Sequence, residues 1–155
     1  MISLENLRRY PFFGELTHAQ LISIASISSV ETYPVGTTLF QKDQPANTLY
    51  LLESGSVDLF YPLLVKADQN DPGEIALNEV NPGDPFGIGS LIEPYVYPAT
   101  ARTAKSSQVI KIEAIPLRAL FETDKRLAYL FTRLATKTAV ELLDAARVQL
   151  AAAIV

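Results

Sequence analysis

The apolar residues change period twice along the chain. Between residues 4 and 27 they recur at helical spacing, with Leu21, Ile22, Ile24 and Ala25 on overlapping helical faces. Ahead of them Thr17-His18-Ala19-Gln20 reads as a capping box, in which Thr17 accepts from the backbone three residues on and Gln20 reaches back. From 29 to 112 the pattern shortens into β-rich runs broken by Gly, Pro, Asn and Asp about every ten residues. Strands are expected at 30–33, 37–40, 48–52, 56–61, 74–80, 99–104 and 108–112, with tight turns at 34–36 and 53–55, a polar loop at 67–73 and a turn at 81–84. Beyond Pro116 the helical period returns. Leu117, Leu120 and Phe121 predict a short helix. Leu127, Leu130, Phe131, Leu134, Val140, Leu142, Leu143 and Leu150 predict a second, starting near Asp124 and extending roughly 40 Å at about 1.5 Å per residue.

Many short strands between helical ends predict a mainly β fold with flanking helices (α+β): an antiparallel β-barrel or double-stranded jelly roll, N-terminal helices and a long C-terminal helix. One unit is expected over 1–155, divided into a helical lead-in at 1–28, a barrel at 29–112 and C-terminal helices at 116–155. Around 139–146 apolar residues occupy more than one helical face, so one face can cover the barrel while another meets a second chain. A homodimer built on a parallel helix pair is the expectation. The tail at 148–155, apolar except for Gln149, is too short to cross a bilayer and reads as part of that interface.

Composition narrows the function classes. With 155 residues, 48% of them hydrophobic, the chain can bury a sizeable core and disorder is not expected. A net charge of −4 argues against the broad basic surface that nonspecific nucleic-acid binding needs, so no nucleic-acid partner is expected for this chain alone. The absence of cysteine excludes disulfides, thiolate metal sites and cysteine nucleophiles. Neither a secretory signal nor a membrane-spanning run is visible, which makes a cytoplasmic protein without a membrane partner the expectation. His18 is the only histidine, at a helix start, and cannot build a multi-histidine metal site or serve a serine triad. Glu53 and Asp58 have no supporting motif, so no catalytic residue, no metal site and no enzyme activity are expected. Asp124, Lys125, Arg126, Arg133 and Lys137 read as a solvated face of the long helix.

One segment carries ligand chemistry. In Phe86-Gly87-Ile88-Gly89-Ser90-Leu91 the glycines permit close backbone approach, and the N–H groups of Gly89, Ser90 and Leu91 could donate to an anion at the start of a short helix. With Tyr97-Pro98-Ala99-Thr100 it resembles the phosphate-binding cassette of the cyclic-nucleotide-binding domain family, Phe-Gly-Glu-Leu-Ala-Leu, five residues, then Arg-Ala-Ala-Thr, aligned without a gap. Gly36-Thr-Thr-Leu-Phe-Gln and Asn47-Thr-Leu-Tyr-Leu-Leu-Glu-Ser-Gly-Ser-Val-Asp-Leu resemble the family's preceding strand and hairpin, and roughly 8–145 fits its pattern. Asp43 stands where the family has glycine, a change that Asp tolerates in a left-handed conformation.

The resemblance implies a regulatory sensor whose ligand-binding residues are Phe86, Gly87, Ile88, Gly89, Ser90, Leu91, Tyr97, Pro98, Ala99 and Thr100, with cyclic AMP or cyclic GMP as ligand. The family's ribose-binding glutamate falls on Ile88 and its phosphate-binding arginine on Tyr97. Losing one hydrogen bond of about 1.5–3 kcal/mol to a charged group weakens affinity roughly tenfold to over a hundredfold. Three occupancies stay open: a pocket filled by its own side chains, an uncharged ligand with the Tyr97 hydroxyl as handle, and weak nucleotide binding. The first makes the alternative function a ligand-free dimerisation or protein-interaction module. Arg102 cannot replace the missing cation if strand alternation holds, because 97 and 102 differ by an odd number. Transcription factors of the family carry a helix-turn-helix after the long helix, so a DNA-reading output is expected to need another polypeptide or a longer parent.

Overall fold

The computed structural model describes residues 2–63 and 73–154. The polar loop expected at 67–73 lies outside the described residues apart from Gly73. The helical lead-in is three pieces: α1 (Leu4–Arg8), a 3-10 turn (Pro11–Glu15) and α2 (His18–Ser26). Pro11 has no N–H to extend α1, which breaks what the periodicity reads as one stretch. Ahead of α2 the capping box forms: the Gln20 N–H donates to Thr17 Oγ1 at 3.2 Å and the Thr17 N–H to Gln20 Oε1 at 2.9 Å.

Among the described residues eight strands follow: β1 (Ser28–Tyr33), β2 (Thr38–Phe40), β3 (Thr48–Ser54), β4 (Val57–Pro62), β5 (Glu74–Val80), β6 (Pro85–Phe86), β7 (Thr100–Thr103) and β8 (Ser107–Glu113). They form two four-stranded antiparallel sheets, ordered β1-β8-β3-β6 and β2-β7-β4-β5. This is the jelly-roll form of the expected fold, and among the described residues no closed barrel forms. The two-residue β6 is too short to show as a period, yet it pairs Phe86 with Tyr50 and so fixes the start of the cassette.

Strand alternation sorts the core into two layers. On β3, Tyr50 and Leu52 point between the sheets with Val109 of β8, while Leu49 and Leu51 point the other way with Ile110 and Ile112. The second set packs against the helical residues Leu7, Phe13, Ile24, Leu127, Leu130 and Phe131. The central strand β3 is thus buried on both faces, which explains why Leu49-Tyr50-Leu51-Leu52 is apolar without alternation.

The C-terminal helices are α3 (Ala114–Thr123) and α4 (Lys125–Ile154). The first begins two residues before Pro116, because a proline in the first turn gives up no helical hydrogen bond. Asp124 starts α4 as expected: its Oδ1 accepts from the Leu127 N–H at 3.0 Å and its Oδ2 from Gln20 Nε2 at 3.0 Å. These bonds, Leu127 first, hold the Asp124 carboxyl below the usual carboxylate range. The 30 residues of α4 span about 45 Å. Its N-terminal half buries Leu127, Leu130, Phe131 and Ala135, while Val140, Leu143, Val148, Leu150 and Ile154 are exposed.

Candidate functional site

The cassette residues come together at one end of the space between the sheets. Phe86 ends β6, Gly87 adopts φ +75° and a 3-10 turn covers Ile88–Leu91. Gly87 is required twice over. Its φ lies in the left-handed region, and a Cβ there would sit 3.2 Å from both Thr48 O and Tyr50 Cδ2 and 3.3 Å from Tyr97 Cε1. At Gly89 the constraint is space alone, since a Cβ would lie 2.2 Å from Val96 O. The return segment is held by Asp43–Ala46: Asp43 N–H donates to Tyr97 O (2.8 Å), Tyr97 N–H to Gln44 O (3.0 Å) and Ala46 N–H to Tyr95 O (2.8 Å). Asp43 itself has φ 71°, the conformation that glycine would favour at that position.

Tyr97 fills the pocket. Its ring stacks on Phe40 with centroids 3.8 Å apart and planes 14° from parallel, and only 4% of the residue is exposed. Phe40 lies in turn against Tyr50 and Phe86, so four aromatic rings occupy the layer between the sheets at this end. The Tyr97 hydroxyl donates to Thr48 O at 2.8 Å and accepts from the Thr48 N–H at 3.1 Å, completing a partly buried end of β3. Burial pushes the phenol above its ordinary pKa, against the opposing pull of the Thr48 bonds. What is left beside it is a cavity of about 30 Å³ lined by Phe40, Phe86, Gly87, Ile88, Pro98 and Ala99, with residues of β4 and α4. Small-molecule pockets run to roughly 300–1,000 Å³.

Of the expected anion donors, the Ser90 N–H is engaged within its own turn. Both the N–H and Oγ of Ser90 donate to Gly87 O, at 3.1 and 2.7 Å, and Thr100 Oγ1 accepts from the Lys42 N–H at 3.0 Å. Leu91 packs into the helical-side core, and Ile88 packs against the same cluster. Arg102 lies outside, 3.3 Å from Glu74 Oε2 and 4.6 Å above the Phe60 ring. His18 is exposed beside Arg8. Among the described residues there is no group of three or more His, Asp or Glu that could hold a metal ion, and no helix is long and apolar enough to cross a membrane.

Two features have no signal in the sequence pattern. Arg118 of α3 reaches the cassette, where its Nη1 donates to Ser90 O at 2.6 Å and Ala46 O at 3.3 Å and its guanidinium lies 4.1 Å over the Tyr95 ring. The second is a cleft of about 550 Å³ between the cassette loop (Ile88, Ile92, Val96) and α4 (Ala139, Val140, Leu143). The contacts of Arg118 join residues 28 and 72 positions apart, a separation that no local spacing encodes.

A family model for the cyclic nucleotide-binding domain matches residues 30–124. The chain belongs to that family. Among solved structures, a putative cyclic nucleotide-binding protein from Geobacter metallireducens GS-15 is similar to it over 92% of this chain and 99% of that one, with 35% identity and a TM-score of 0.79. The catabolite activator protein of Thermus thermophilus aligns over 90% of this chain and 61% of that one, at 26% identity and a TM-score of 0.65. A curated relative, the CRP-like protein Clp of Xanthomonas campestris pv. campestris (strain B100), is 32% identical over 92 residues, 59% of this chain and 37% of the relative. The chain thus matches little over a third of the length of the curated relatives, which are CRP-like by description. This member of the cyclic nucleotide-binding family has Ile88 and Tyr97 in the segment that resembles the family's cassette. Ile88 carries no carboxylate and Tyr97 no cation, and the Tyr97 ring lies between the sheets against Phe40.

Proposed function

We propose that this chain is a regulatory module of the cyclic nucleotide-binding family that works as a homodimeric interaction element, with its ligand pocket closed by Tyr97. The stacking of Tyr97 on Phe40, with about 30 Å³ left beside it, carries the reading. Residues 1–155 then act as one unit, non-catalytic and cytoplasmic, and any output on DNA comes from another polypeptide or from a longer parent of this chain. Calorimetry against cyclic AMP, cyclic GMP and cyclic dinucleotides is the test. Silence up to millimolar concentration is expected, and a saturable isotherm below that range would overturn it.

The dimer is proposed through α4. Thr136, Ala139, Leu143, Ala146, Leu150 and Ala153 recur at alternating steps of three and four, large beside small, as an interhelical seam requires. The opposite face is committed to the chain's own sheet, where Asn78 Nδ2 donates to Leu142 O and Gln149 Nε2 to Leu77 O. Leu143 stays 50% exposed and Leu150 61%, and the seam enters the cleft beside Ile92. With no native cysteine, Leu143→Cys gives a clean cross-linking probe. In a parallel pair the two introduced thiols face each other and oxidise to an interchain disulfide. A monomer by sedimentation at ~100 μM, far above the micromolar range that useful association needs, would sink the proposal.

A second reading keeps the sensor role, with a small ligand between the sheets and α4 as the element it moves. Retention of the Gly87 and Gly89 backbone path and of Thr100 favours it. It requires Tyr97 to leave Phe40, and a ligand found against Phe40 and Phe86 in a crystal grown with it would establish it.

A further inference from the structure

We propose that Arg118 is the latch that keeps the cassette shut. The proposal rests on the reading that Tyr97 closes the pocket and names what holds it there. Two chain segments form the closed end: 43–46 and 90–97, joined by the backbone bonds that Asp43, Gln44 and Ala46 make with Tyr95 and Tyr97. One guanidinium bridges both. Its Nη1 donates to Ala46 O on the first segment and Ser90 O on the second, while its plane covers Tyr95.

Each contact meets a need of the segment. The Ser90 carbonyl lies near the end of the 3-10 turn Ile88–Leu91, where the helix supplies no donor of its own. Tyr95 has φ 56°, a conformation costly for a bulky side chain, and a cation stacked on its ring helps to hold it there. Lysine has donors for the carbonyls but offers no plane to stack on Tyr95. Among the described residues Arg118 has no carboxylate ion pair, so the latch is a cation held by neutral dipoles and a ring and does not open by protonation of an acidic partner.

The latch also has a handle. Arg118 belongs to α3, whose Leu117 is fully buried and whose Phe121 lies 5.6 Å from Phe131 of α4. A shift of α3 that follows α4 therefore draws the guanidinium off two carbonyls at once. Through Arg118, whatever seats α4 against a partner would set the state of Tyr97.

Hydrogen exchange in Arg118→Met and Arg118→Lys tests this against a merely structural role. In the methionine variant the Ala46 and Tyr97 amides should exchange roughly tenfold to a hundredfold faster, the range expected for loss of a hydrogen bond to a charged group. The β3–β8 amides of Leu51 and Ile110 should hold their parent rates. Lysine should recover only part of the protection. Equal acceleration at all four amides, unchanged protection at Ala46 and Tyr97, or full recovery by lysine would each overturn the latch. Should the methionine variant fail to fold, Tyr95→Ala removes only the stacked ring and must speed the same two amides. Because no ligand enters these measurements, a failed latch is distinguishable from a failed closed-pocket reading, which calorimetry on the parent chain decides.

Discussion

Replacing Tyr97 by phenylalanine isolates what the hydroxyl contributes. The ring and its stack on Phe40 stay, while one bond donated to Thr48 O at 2.8 Å and one accepted from the Thr48 N–H at 3.1 Å are lost. Each is worth about 0.5–1.5 kcal/mol net, and the site is too buried for water to replace them, so the variant should lose about 1–3 kcal/mol. In a chain of this size 1 kcal/mol moves Tm by about 2–4 °C, which puts the expected fall at roughly 2–12 °C. Urea titration should show the same loss as a lower midpoint at unchanged slope. Tyr97→Ala removes the ring as well and should lose about 3–5 kcal/mol, the usual range for a buried aromatic truncated to alanine. If Tyr97→Phe melts within about 1 °C of the parent, less than the smallest fall expected, the phenol is not anchored at Thr48 and the reasoning about a self-closed pocket fails.

Gly89→Ala should be among the most damaging single changes, because its Cβ would lie 2.2 Å from the Val96 carbonyl; a soluble protein with parent Tm would contradict that geometry. Asp124→Ala removes the cap of α4 and should cost about 1 kcal/mol, read as a Tm fall of a few degrees. Alkali should unfold the chain. The Tyr97 phenol, like those of Tyr50 and Tyr61, is raised above the unfolded value of 10.0 mainly by burial, so its contribution is complete below about pH 10 and is lost as pH rises further. Stability measured from about pH 9 to 12 should fall, and Tyr97→Phe should fall less steeply by up to one proton, about 1.4 kcal/mol per pH unit. A flat profile for the parent would refute the burial argument.

Period and punctuation made most of the fold legible. The Thr17–Gln20 box, the start of α4 at Asp124 and the strand at 74–80 are local patterns, and local patterns survive folding. The break at Pro11 needed more weight than the apolar spacing around it. β6 was invisible because two residues have no period. The candidate site was half legible: Ile88 and Tyr97 stand out against the cassette pattern, and their chemistry points to a site without its charges. What filled the space could not be read, since Phe40, Tyr50 and Thr48 meet Tyr97 only through sheet topology. Arg118 is the extreme case, an arginine on a helix with nothing nearby in sequence to distinguish it from a solvated charge.

The two departures at Ile88 and Tyr97 make sense as a pair. A carboxylate at 88 and a guanidinium at 97, each turned toward a ligand, would be buried without partners once the ligand was gone, and unpaired buried charges are strongly destabilising. An isoleucine packed on the helical-side core and a phenol stacked on Phe40 remove both liabilities. The phenol also gives Thr48 both a donor and an acceptor. The interior between the sheets then contributes to stability without a ligand, and the Gly87 and Gly89 turns, open enough for a ligand's close approach, instead admit the Tyr97 ring and the Val96 carbonyl. Restoring the charges by Ile88→Glu with Tyr97→Arg would therefore exchange stability for a binding site: the double variant should melt below the parent, and cyclic nucleotide should raise its Tm where it leaves the parent unmoved.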